Sequence, residues 1–370
     1  MIIGVPKEIK VRENRVSLVP GGVKSLCSLG HKVFVEKDAG LGAGISNDNF
    51  VQSGAQIIAS AEEVWGSADM IIKVKEPIVQ EYPLLKKDLI LYTYLHLAAD
   101  KKLANVLLEK EVSSIAYETI EFRDGSLPLL KPMSEVAGRM SVQVGAKALE
   151  KRNGGKGILL GGVPGVKRSR VVIIGGGVVG INAAKIAVGM GAIVSILDVD
   201  QSRLAYLDDI FGNQVNTIMS TPETIEEHVY QSDLVIGAVL VTGNKAPTLV
   251  TEKMVEKMEE GSALVDVAID QGGCIETIKP TTHDKPIYKL HGVNHYGVTN
   301  IPGDVPVTST YALTNVTLGY ALKIADLGLE PALASSKPLR FGLNTYKGVT
   351  THPAVGEALG LKYELPQFSS

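Results

Sequence analysis

The sequence predicts an α/β protein in which helices cover both faces of mainly parallel sheets. Short apolar runs rich in Val, Ile and Leu alternate along the chain with segments whose apolar residues recur at helical spacing. One of these runs, residues 170–174, leads directly into a glycine-rich turn and a further apolar helical pattern. The 370 residues are enough for two domains, because single domains usually contain about 100–200 residues. We therefore expect two α/β domains, each with its own core.

Four apolar runs in the first third of the chain are predicted to be strands: residues 2–5, 32–35, 70–74 and 89–92. Their alternation with helical patterns indicates a first α/β layer. Apolar and small residues at helical spacing then predict one long helix at 133–152, for which Pro132 followed by Ser134 offers a start signal. We expect this helix and the glycine-rich stretch 154–165 to connect the first domain to the second.

The second part of the chain continues the same alternation. Residues 233–239 and 263–269 are predicted strands with a helix at 249–258 between them, which indicates a doubly wound parallel sheet. Residues 309–327, beyond Pro306, predict another long helix. The tail from about Lys337 has too few apolar residues to fold alone, so we expect it to pack on the first domain.

These elements predict a division into a discontinuous outer domain and a central domain. The outer domain would contain residues 1–130 plus about 306–370, and the central domain residues 131–305, with the 133–152 helix as the link. In open sheets of this type ligands bind outside the carboxyl ends of the strands. We therefore expect a ligand cleft between the two domains.

Composition excludes several classes of function. The net charge is −3, from 37 basic and 40 acidic residues, which gives no basic field for nucleic acid. The sequence contains no apolar stretch of the roughly 18–20 residues that a membrane helix needs. The N-terminus begins as a strand without a basic leader, and we expect a cytoplasmic protein. Cys27 and Cys274 lie far apart without metal-ligand spacing, so we expect unpaired thiols and no metal.

The glycine-rich turn has the pattern Gly175-x-Gly177-x-x-Gly180. The first glycine permits a tight turn, the second lets the backbone approach a pyrophosphate, and the third lets the following helix pack on the strand. A tight turn without a ligand is the alternative, but a strand before and a helix after favour a Rossmann-type dinucleotide site.

An acidic residue and a nearby arginine bear on the choice of dinucleotide. Asp198 ends the next predicted strand, where a carboxylate accepts hydrogen bonds from the adenosine ribose and favours NAD over NADP. Arg203 lies five residues further on and could instead meet a ribose phosphate. We rank Asp198, and therefore NAD, first.

Four polar residues follow apolar strand patterns and are candidates for chemistry: Arg15, Lys75, His96 and Asp270. Arginine offers a bidentate fork for a carboxylate, lysine a point charge, and histidine a side chain that titrates near neutral pH. Each also has a structural interpretation: solvated charges for Arg15 and Lys75, a structural histidine, and a turn or helix-cap carboxylate for Asp270. Together they fit a nicotinamide enzyme that acts on a small acid.

Several longer motifs carry a resemblance to a known family. They are VPKE at 5–8, KVKEP at 73–77, LHLA at 95–98, PMSEVAGR at 132–139, GGVPGV at 161–166 and VDVAIDQGGC at 265–274. With these motifs the sequence resembles the family of alanine dehydrogenases and NAD(P) transhydrogenase α-subunits, and within it the bacterial L-alanine dehydrogenases, over residues 1–361. The resemblance implies reversible oxidative deamination of L-alanine to pyruvate and ammonia with NAD.

The resemblance also implies roles for particular residues. Arg15 would hold the substrate carboxylate, Lys75 would hydrogen-bond its carbonyl or amine end, His96 would be the general acid/base, and Asp270 would support proton transfer. Around NAD it implies Ser134, Asp198, Arg203, Ser220, Val239, Leu240, Ile269, Asp270, Asn300, Ile301 and Pro302, beside the three loop glycines. Ser134 is alternatively a helix N-cap. The family is usually a homohexamer.

Three other functions compete with this interpretation. The NAD-binding component of proton-translocating transhydrogenase shares much of the sequence, but it commonly continues into apolar segments and this chain stops at Ser370. A related dehydrogenase for another amino or imino acid, such as a lysine-pathway enzyme, is the second alternative. A catalytically silent NAD sensor is the third, and the intact set of polar residues argues against it.

Overall fold

The chain folds into two units that each contain one sheet. The computed structural model describes residues 1–239 and 246–368, apart from the side chain of Gln271. The first unit, here called the discontinuous unit, comprises Met1–Met133 and Val305–Ser370, and the second, the continuous unit, comprises Ser134–Asp304. The α/β class and the discontinuous outer domain predicted from the sequence are confirmed.

Fifteen strands are found in the described part of the chain. In chain order they are β1 Ile2–Val5, β2 Lys32–Glu36, β3 Gln56–Ile58, β4 Met70–Ile72, β5 Ile90–Thr93, β6 Ser113–Ala116, β7 Arg170–Ile174, β8 Ile193–Asp198, β9 Val215–Met219, β10 Leu234–Gly237, β11 Ala263–Asp266, β12 Ile287–Leu290, β13 Val293–Tyr296, β14 Leu343–Tyr346 and β15 Val349–Thr350.

The six parallel strands of each sheet follow the same order. In the discontinuous unit the order is β3-β2-β1-β4-β5-β6-β14-β15, with the first six strands parallel and the last two antiparallel. In the continuous unit it is β9-β8-β7-β10-β11-β13-β12, with β12 antiparallel at the edge. In both sheets the strand order reverses at the first strand: β4 and the strands after it lie on the other side of β1 from β2, and β10 and β11 lie on the other side of β7 from β8. Such a switch point is where open α/β sheets bind ligands.

Thirteen α-helices occur among the described residues. In chain order they are α1 Pro20–Ser28, α2 Asn47–Gln52, α3 Ala61–Ser67, α4 Lys101–Glu109, α5 Lys131–Ala148, α6 Val178–Gly189, α7 Gln201–Phe211, α8 Pro222–Tyr230, α9 Glu252–Glu256, α10 Pro306–Leu327, α11 Leu329–Ser335, α12 Lys337–Gly342 and α13 Pro353–Leu359. Within the described ranges, none of these helices is long and apolar enough to span a bilayer.

The long helix predicted at 133–152 corresponds to α5, Lys131–Ala148, which begins and ends earlier than predicted. The Leu127 carbonyl accepts from the Lys131 amide at 3.0 Å, so the turn before the helix already leads into it. Ser134 therefore lies inside the helix, and its interpretation as an N-cap is wrong. At the other end Glu150 is extended, with φ −66° and ψ 142°, which stops the helical path.

The strand predicted at 263–269 also ends early, at Asp266. The Asp266 carboxylate accepts from the Ala268 amide at 2.9 Å and starts a 3₁₀ helix over Val267–Gln271. Asp270 thus lies in a 3₁₀ turn and not at the end of a strand. The strands predicted at 2–5 and 170–174 match β1 and β7, and the other predicted elements differ from the observed ones by at most three residues at an end. Caps and turns, and not periodicity, set element ends.

The C-terminal tail extends the sheet of the discontinuous unit. Strand β14 pairs antiparallel with β6, with Leu343 opposite Ile115 and Thr345 opposite Ser114. Helix α13 adds Val355 and Leu359 to a core cluster with residues of α3, α4 and β5. Apolar contacts of this kind make the tail part of the fold although its own sequence is poor in apolar residues.

Candidate functional site

In the continuous unit, the predicted cofactor residues follow different strands at the same end of the sheet. The glycine turn follows β7, Asp198 ends β8, Ser220 follows β9, and Val239 lies two residues beyond β10. Ile269 and Asp270 follow β11, and Asn300, Ile301 and Pro302 follow β13 at a 3₁₀ helix over Ile301–Asp304. Because these strands are parallel, their carboxyl ends meet at one edge of the sheet. Leu240 lies outside the described residues.

The geometry of the glycine turn meets the requirements of a pyrophosphate site. Gly175 has φ +103°, and a Cβ at Gly180 would lie 1.8 Å from the Gly175 carbonyl oxygen. A Cβ at Gly177 would meet no heavy atom within 4 Å. Gly177 precedes α6 without a side-chain cap, so the first amides of the helix point toward this open space.

The Asp198 side chain orders the glycine turn. Its Oδ2 accepts from the Gly176 amide at 2.6 Å, and its Oδ1 accepts from the Asp200 amide at 2.9 Å. Each carboxylate oxygen can accept a second hydrogen bond, so these bonds are compatible with ribose recognition. Arg203 is half-buried on the following helix α7, with its guanidinium carbon 5.6 Å from the centre of the Tyr206 ring.

Ser134 occupies the first turns of α5, the helix that meets α6. A Cβ at Gly138 would lie 2.3 Å from the Val179 carbonyl oxygen, so the two helix backbones touch there. Ser134 is half-buried, one turn before this contact. Asn300 has a left-handed backbone with φ 59°, and its carbonyl accepts from the Gly303 amide at 2.8 Å.

The loop that carries Asp270 is fixed by a carboxylate that the sequence prediction missed. Asp266 is fully buried and accepts from the amides of Ala268, Cys274 and Ile275 at 2.9, 2.7 and 3.1 Å. Burial raises the pKa of Asp266 to about 6 despite these bonds. Asp270 itself is exposed. The carboxylate of Asp266 therefore joins both ends of the loop and holds Asp270 at its outer turn.

In the discontinuous unit, three predicted residues follow three adjacent parallel strands. Arg15 follows β1, Lys75 lies three residues beyond β4, and His96 lies three residues beyond β5. The sheet order places β4 between β1 and β5. The fold therefore brings Arg15, Lys75 and His96 to one edge of this sheet, with Arg15 and Lys75 at the switch point between β1 and β4 and His96 one strand further along.

Arg15 is buried and paired, so its interpretation as a solvated charge is wrong. Its side chain is 2% exposed, and its Nε and Nη2 donate to the two carboxylate oxygens of Glu13 at 2.7 and 2.5 Å. Its Nη1 lies 3.1 Å from the Met133 sulfur. The pairing with Glu13 offsets the cost of burying the guanidinium.

Lys75 is half-buried beside Arg15. Burial and the positive charge of Arg15 lower the pKa of the Lys75 ammonium. The backbone amide of Lys75 donates to Glu8 at 3.3 Å, and the Val74 amide donates to the same oxygen at 2.6 Å. A partly desolvated ammonium at this edge is suited to a carbonyl or amine ligand.

Glu8 also belongs to a buried ion cluster that the sequence prediction missed. Lys73, only 1% exposed, contacts Glu81 at 2.6 Å and Glu8 at 3.2 Å. Burial raises the pKa of Glu8, and the positive charge of Lys73 opposes part of this rise. The one available signal was a lysine inside an apolar strand pattern, since such a side chain needs carboxylate partners.

His96 is exposed and has a left-handed backbone with φ 49° and ψ 37°. Its ring stacks parallel to the Tyr94 ring, with centres 6.0 Å apart and planes 6° apart. Its amide donates to the Glu118 carboxylate at 2.5 Å. Neither Tyr94 nor Glu118 was among the predicted site residues.

Both α/β units have this strand order, and one of them carries a complete glycine turn with an acidic residue on the next strand. These features define a two-domain nucleotide-binding protein of the dehydrogenase type. Family models agree with this class. The model described as "Alanine dehydrogenase/PNT, N-terminal domain" matches residues 4–137, and "Alanine dehydrogenase/PNT, C-terminal domain" matches residues 141–353. The chain belongs to the alanine dehydrogenase/PNT family.

Individual relatives match over almost the whole chain. The chain is 58% identical to an alanine dehydrogenase of Methanococcus maripaludis over 364 residues, 98% of each protein. It is 59% identical to alanine dehydrogenase of Bacillus subtilis over 364 residues, 98% of this chain and 96% of the relative.

Solved structures give the same result. An L-alanine dehydrogenase structure matches with a TM-score of 0.95 and 53% identity, covering 97% of this chain and 99% of that one. A transhydrogenase from Sinorhizobium meliloti matches with a TM-score of 0.81 and 25% identity, covering 96% and 100%.

Proposed function

We propose that this protein is an NAD-dependent dehydrogenase that converts L-alanine reversibly to pyruvate and ammonia. The structural observation that carries the proposal is that Arg15, Lys75 and His96 follow three adjacent parallel strands at one edge of the sheet, beside its switch point. Identity of 58–59% to alanine dehydrogenases over nearly the full length supports the same substrate.

Substrate binding is assigned to the discontinuous unit. Arg15 would bind the substrate carboxylate, and its bidentate pair with Glu13 fixes the orientation of the guanidinium. Lys75 would hydrogen-bond the carbonyl oxygen of pyruvate or the amine of alanine. Two cations fix a small keto acid by its two oxygen-bearing groups, which orients Cα for reaction.

Proton transfer is assigned to His96, with support from Asp270. When bound, NAD accepts the hydride from the substrate Cα. Water then adds to the iminium carbon, and collapse of the carbinolamine releases ammonia. His96 would take the proton from water and return it to the leaving amine, since imidazole titrates near neutral pH.

The cofactor residues are assigned to the continuous unit. The open space above Gly177 and the uncapped start of α6 fit a pyrophosphate, and Asp198 fits a ribose with free hydroxyls. Residues 131–305 are therefore proposed as the NAD-binding domain, and residues 1–130 with about 306–370 as the substrate domain. Assembly as a homohexamer stays a prediction.

A substrate panel tests the proposal. NADH formation is measured at mildly alkaline pH with L-alanine, D-alanine and larger amino acids, each with NAD or NADP. We expect turnover only with small L-amino acids and NAD. Hydride exchange between nucleotides without amino-acid turnover would instead support the transhydrogenase alternative, which the similarity to the Sinorhizobium meliloti structure makes the second candidate.

Two variants test the assigned roles. We expect His96→Ala to remove most turnover and leave NADH affinity within about twofold. Arg15→Lys should mainly raise the KM for pyruvate, by roughly tenfold or more, because a lysine ammonium lacks the planar fork with which the guanidinium holds Glu13 and would bind the substrate carboxylate at the same time. The exposed Arg123, changed to Lys, is the matched control and should retain both constants. Equal loss of NADH affinity in the two test variants would contradict the assignment.

A further inference from the structure

The backbone of His96 is held in an unusual conformation. With φ 49° and ψ 37° it lies in the left-handed region, which only a few per cent of residues other than glycine adopt. Such a conformation persists only where surrounding contacts determine it. The question is which side chains supply those contacts.

The Glu118 carboxylate binds the backbone at this turn. Glu118 lies in a 3₁₀ helix over Tyr117–Thr119, directly after β6, the neighbour of β5 in the sheet. Its Oε1 accepts from the His96 amide at 2.5 Å and from the Leu95 amide at 3.1 Å. The Leu95 amide is also 3.2 Å from Oε2. One carboxylate thus satisfies two successive amides that the left-handed turn directs toward it.

The aromatic ring of Tyr94 contacts one face of the His96 imidazole. The Tyr94 ring, 3% exposed, stacks parallel to His96, and its hydroxyl donates to the Leu129 carbonyl at 2.7 Å. The Tyr94 and Tyr117 rings pack in a T-shaped arrangement, with their centres 5.0 Å apart. Tyr117 is the residue next to Glu118, so the ring wall and the carboxylate come from the same turn.

We propose that Glu118 is a positioning residue for the reaction, which acts by fixing the left-handed turn that aims the His96 imidazole. The inference rests on the proposed function, in which His96 moves the protons. A general acid/base must be held within a fraction of an ångström and a few tens of degrees of its working geometry. Without Glu118 the turn can relax to a right-handed backbone, which would redirect the side chain.

The test compares Glu118→Ala with Glu118→Gln. Because Oε1 alone accepts from both amides, the glutamine carbonyl oxygen can replace it. We expect Glu118→Ala to lower kcat for pyruvate amination at least tenfold, with the KM for pyruvate and the affinity for NADH within about threefold. Glu118→Gln should restore kcat to within about threefold of the native value. Glu121→Ala removes a nearby carboxylate as the matched control and should leave kcat unchanged.

A double variant separates positioning from a general structural role. If Glu118 acts through His96, then Glu118→Ala adds no further loss of kcat in a His96→Ala background. Multiplying losses would overturn the proposal, because they would show that Glu118 acts independently. Native kcat in a folded Glu118→Ala protein would overturn it as well.

Further variants cover the remaining outcomes. Should Glu118→Ala not fold, Glu118→Asp keeps the charge and withdraws the carboxylate by one methylene. It is expected to lose several-fold in kcat, and a native kcat would contradict the inference. Full turnover in His96→Ala alone would overturn the proposed role of His96 and this inference together. Loss of turnover in His96→Ala with no effect at Glu118 would overturn only this inference.

Discussion

Asp266 shows at the scale of one residue how burial and hydrogen bonding oppose each other. Three backbone amides stabilise its ionised form, yet complete burial raises the pKa from 3.8 to about 6. A pKa raised by folding means that the folded state binds the proton more tightly than the unfolded chain does. The contribution of Asp266 to stability is therefore full below pH 3.8 and is lost as the pH rises through 6.

This sign gives a prediction for Asp266→Asn. Ionisation of Asp266 lowers the free energy of unfolding of the native protein between pH 4.5 and pH 8, whereas the variant has no carboxylate to ionise there. The difference between variant and native free energies of unfolding should therefore shift by about 2 kcal/mol in favour of the variant over that interval. Urea unfolding at the two pH values measures the difference. The exposed Asp208, changed to Asn, controls for the loss of a carboxylate. A difference that is the same at both pH values would show that Asp266 does not titrate in this range.

The residues predicted for the substrate site share one property, which is a polar side chain that follows an apolar strand pattern. Arg15, Lys75 and His96 were found in this way, because strand ends can be read from local pattern. Glu118, which binds the backbone of His96, was not found. A carboxylate that binds a backbone amide 22 residues away leaves no local signal, since only the folded sheet brings the two together.

At the scale of the element, three of the glycines in the glycine turn and α6 differ in what a side chain would meet. A Cβ at Gly180 would strike backbone at 1.8 Å, and one at Gly176 would meet the end of Leu207 at 2.6 Å. A Cβ at Gly177 would meet no protein atom within 4 Å, and φ there is −70°. The same substitution should therefore have three different consequences.

We expect Gly180→Ala to destabilise or unfold the protein, since backbone cannot move aside. Gly177→Ala should keep the native melting temperature within about 2 °C but raise the Kd for NADH about tenfold or more, or ~1.4 kcal/mol, because the methyl group enters the proposed pyrophosphate space. Gly176→Ala should need a shift of the Leu207 side chain and small adjustments of Arg203 and Asp198, and it should change the Kd less. Thermal unfolding with NADH titration distinguishes the three variants. Native NADH affinity in Gly177→Ala would place the pyrophosphate elsewhere.

Element types were predictable from periodicity, whereas element ends were not. The strand at β11 stops at Asp266 because its own carboxylate caps the next turn. Helix α5 starts before Ser134 because the Leu127 carbonyl already accepts an amide. Both ends depend on single hydrogen bonds, which apolar spacing does not encode.

At the scale of the whole molecule, the C-terminal tail completes the sheet of the discontinuous unit. The Thr345 hydroxyl on β14 donates to the Val112 carbonyl at 2.8 Å and accepts from the Ser114 hydroxyl on β6 at 2.7 Å. Leu359 of α13 packs in the same core cluster as Leu103. The tail pairs with the unit of residues 1–133, as its low apolar content predicted, but the antiparallel register with β6 could not be read from sequence.

Removal of residues 337–370 should therefore expose the amides and carbonyls along β6, and it should leave the α13 side of the core without cover. An open strand edge beside exposed apolar surface promotes aggregation. We expect the shortened chain to lose most of its soluble yield and all alanine turnover. A chain lacking only 365–370 keeps β14, β15 and α13, and it should retain both. Soluble expression, light scattering and the alanine assay compare the two chains. Native solubility and turnover after the longer deletion would show that β6 tolerates an open edge and that the tail does not stabilise the substrate residues on the same sheet.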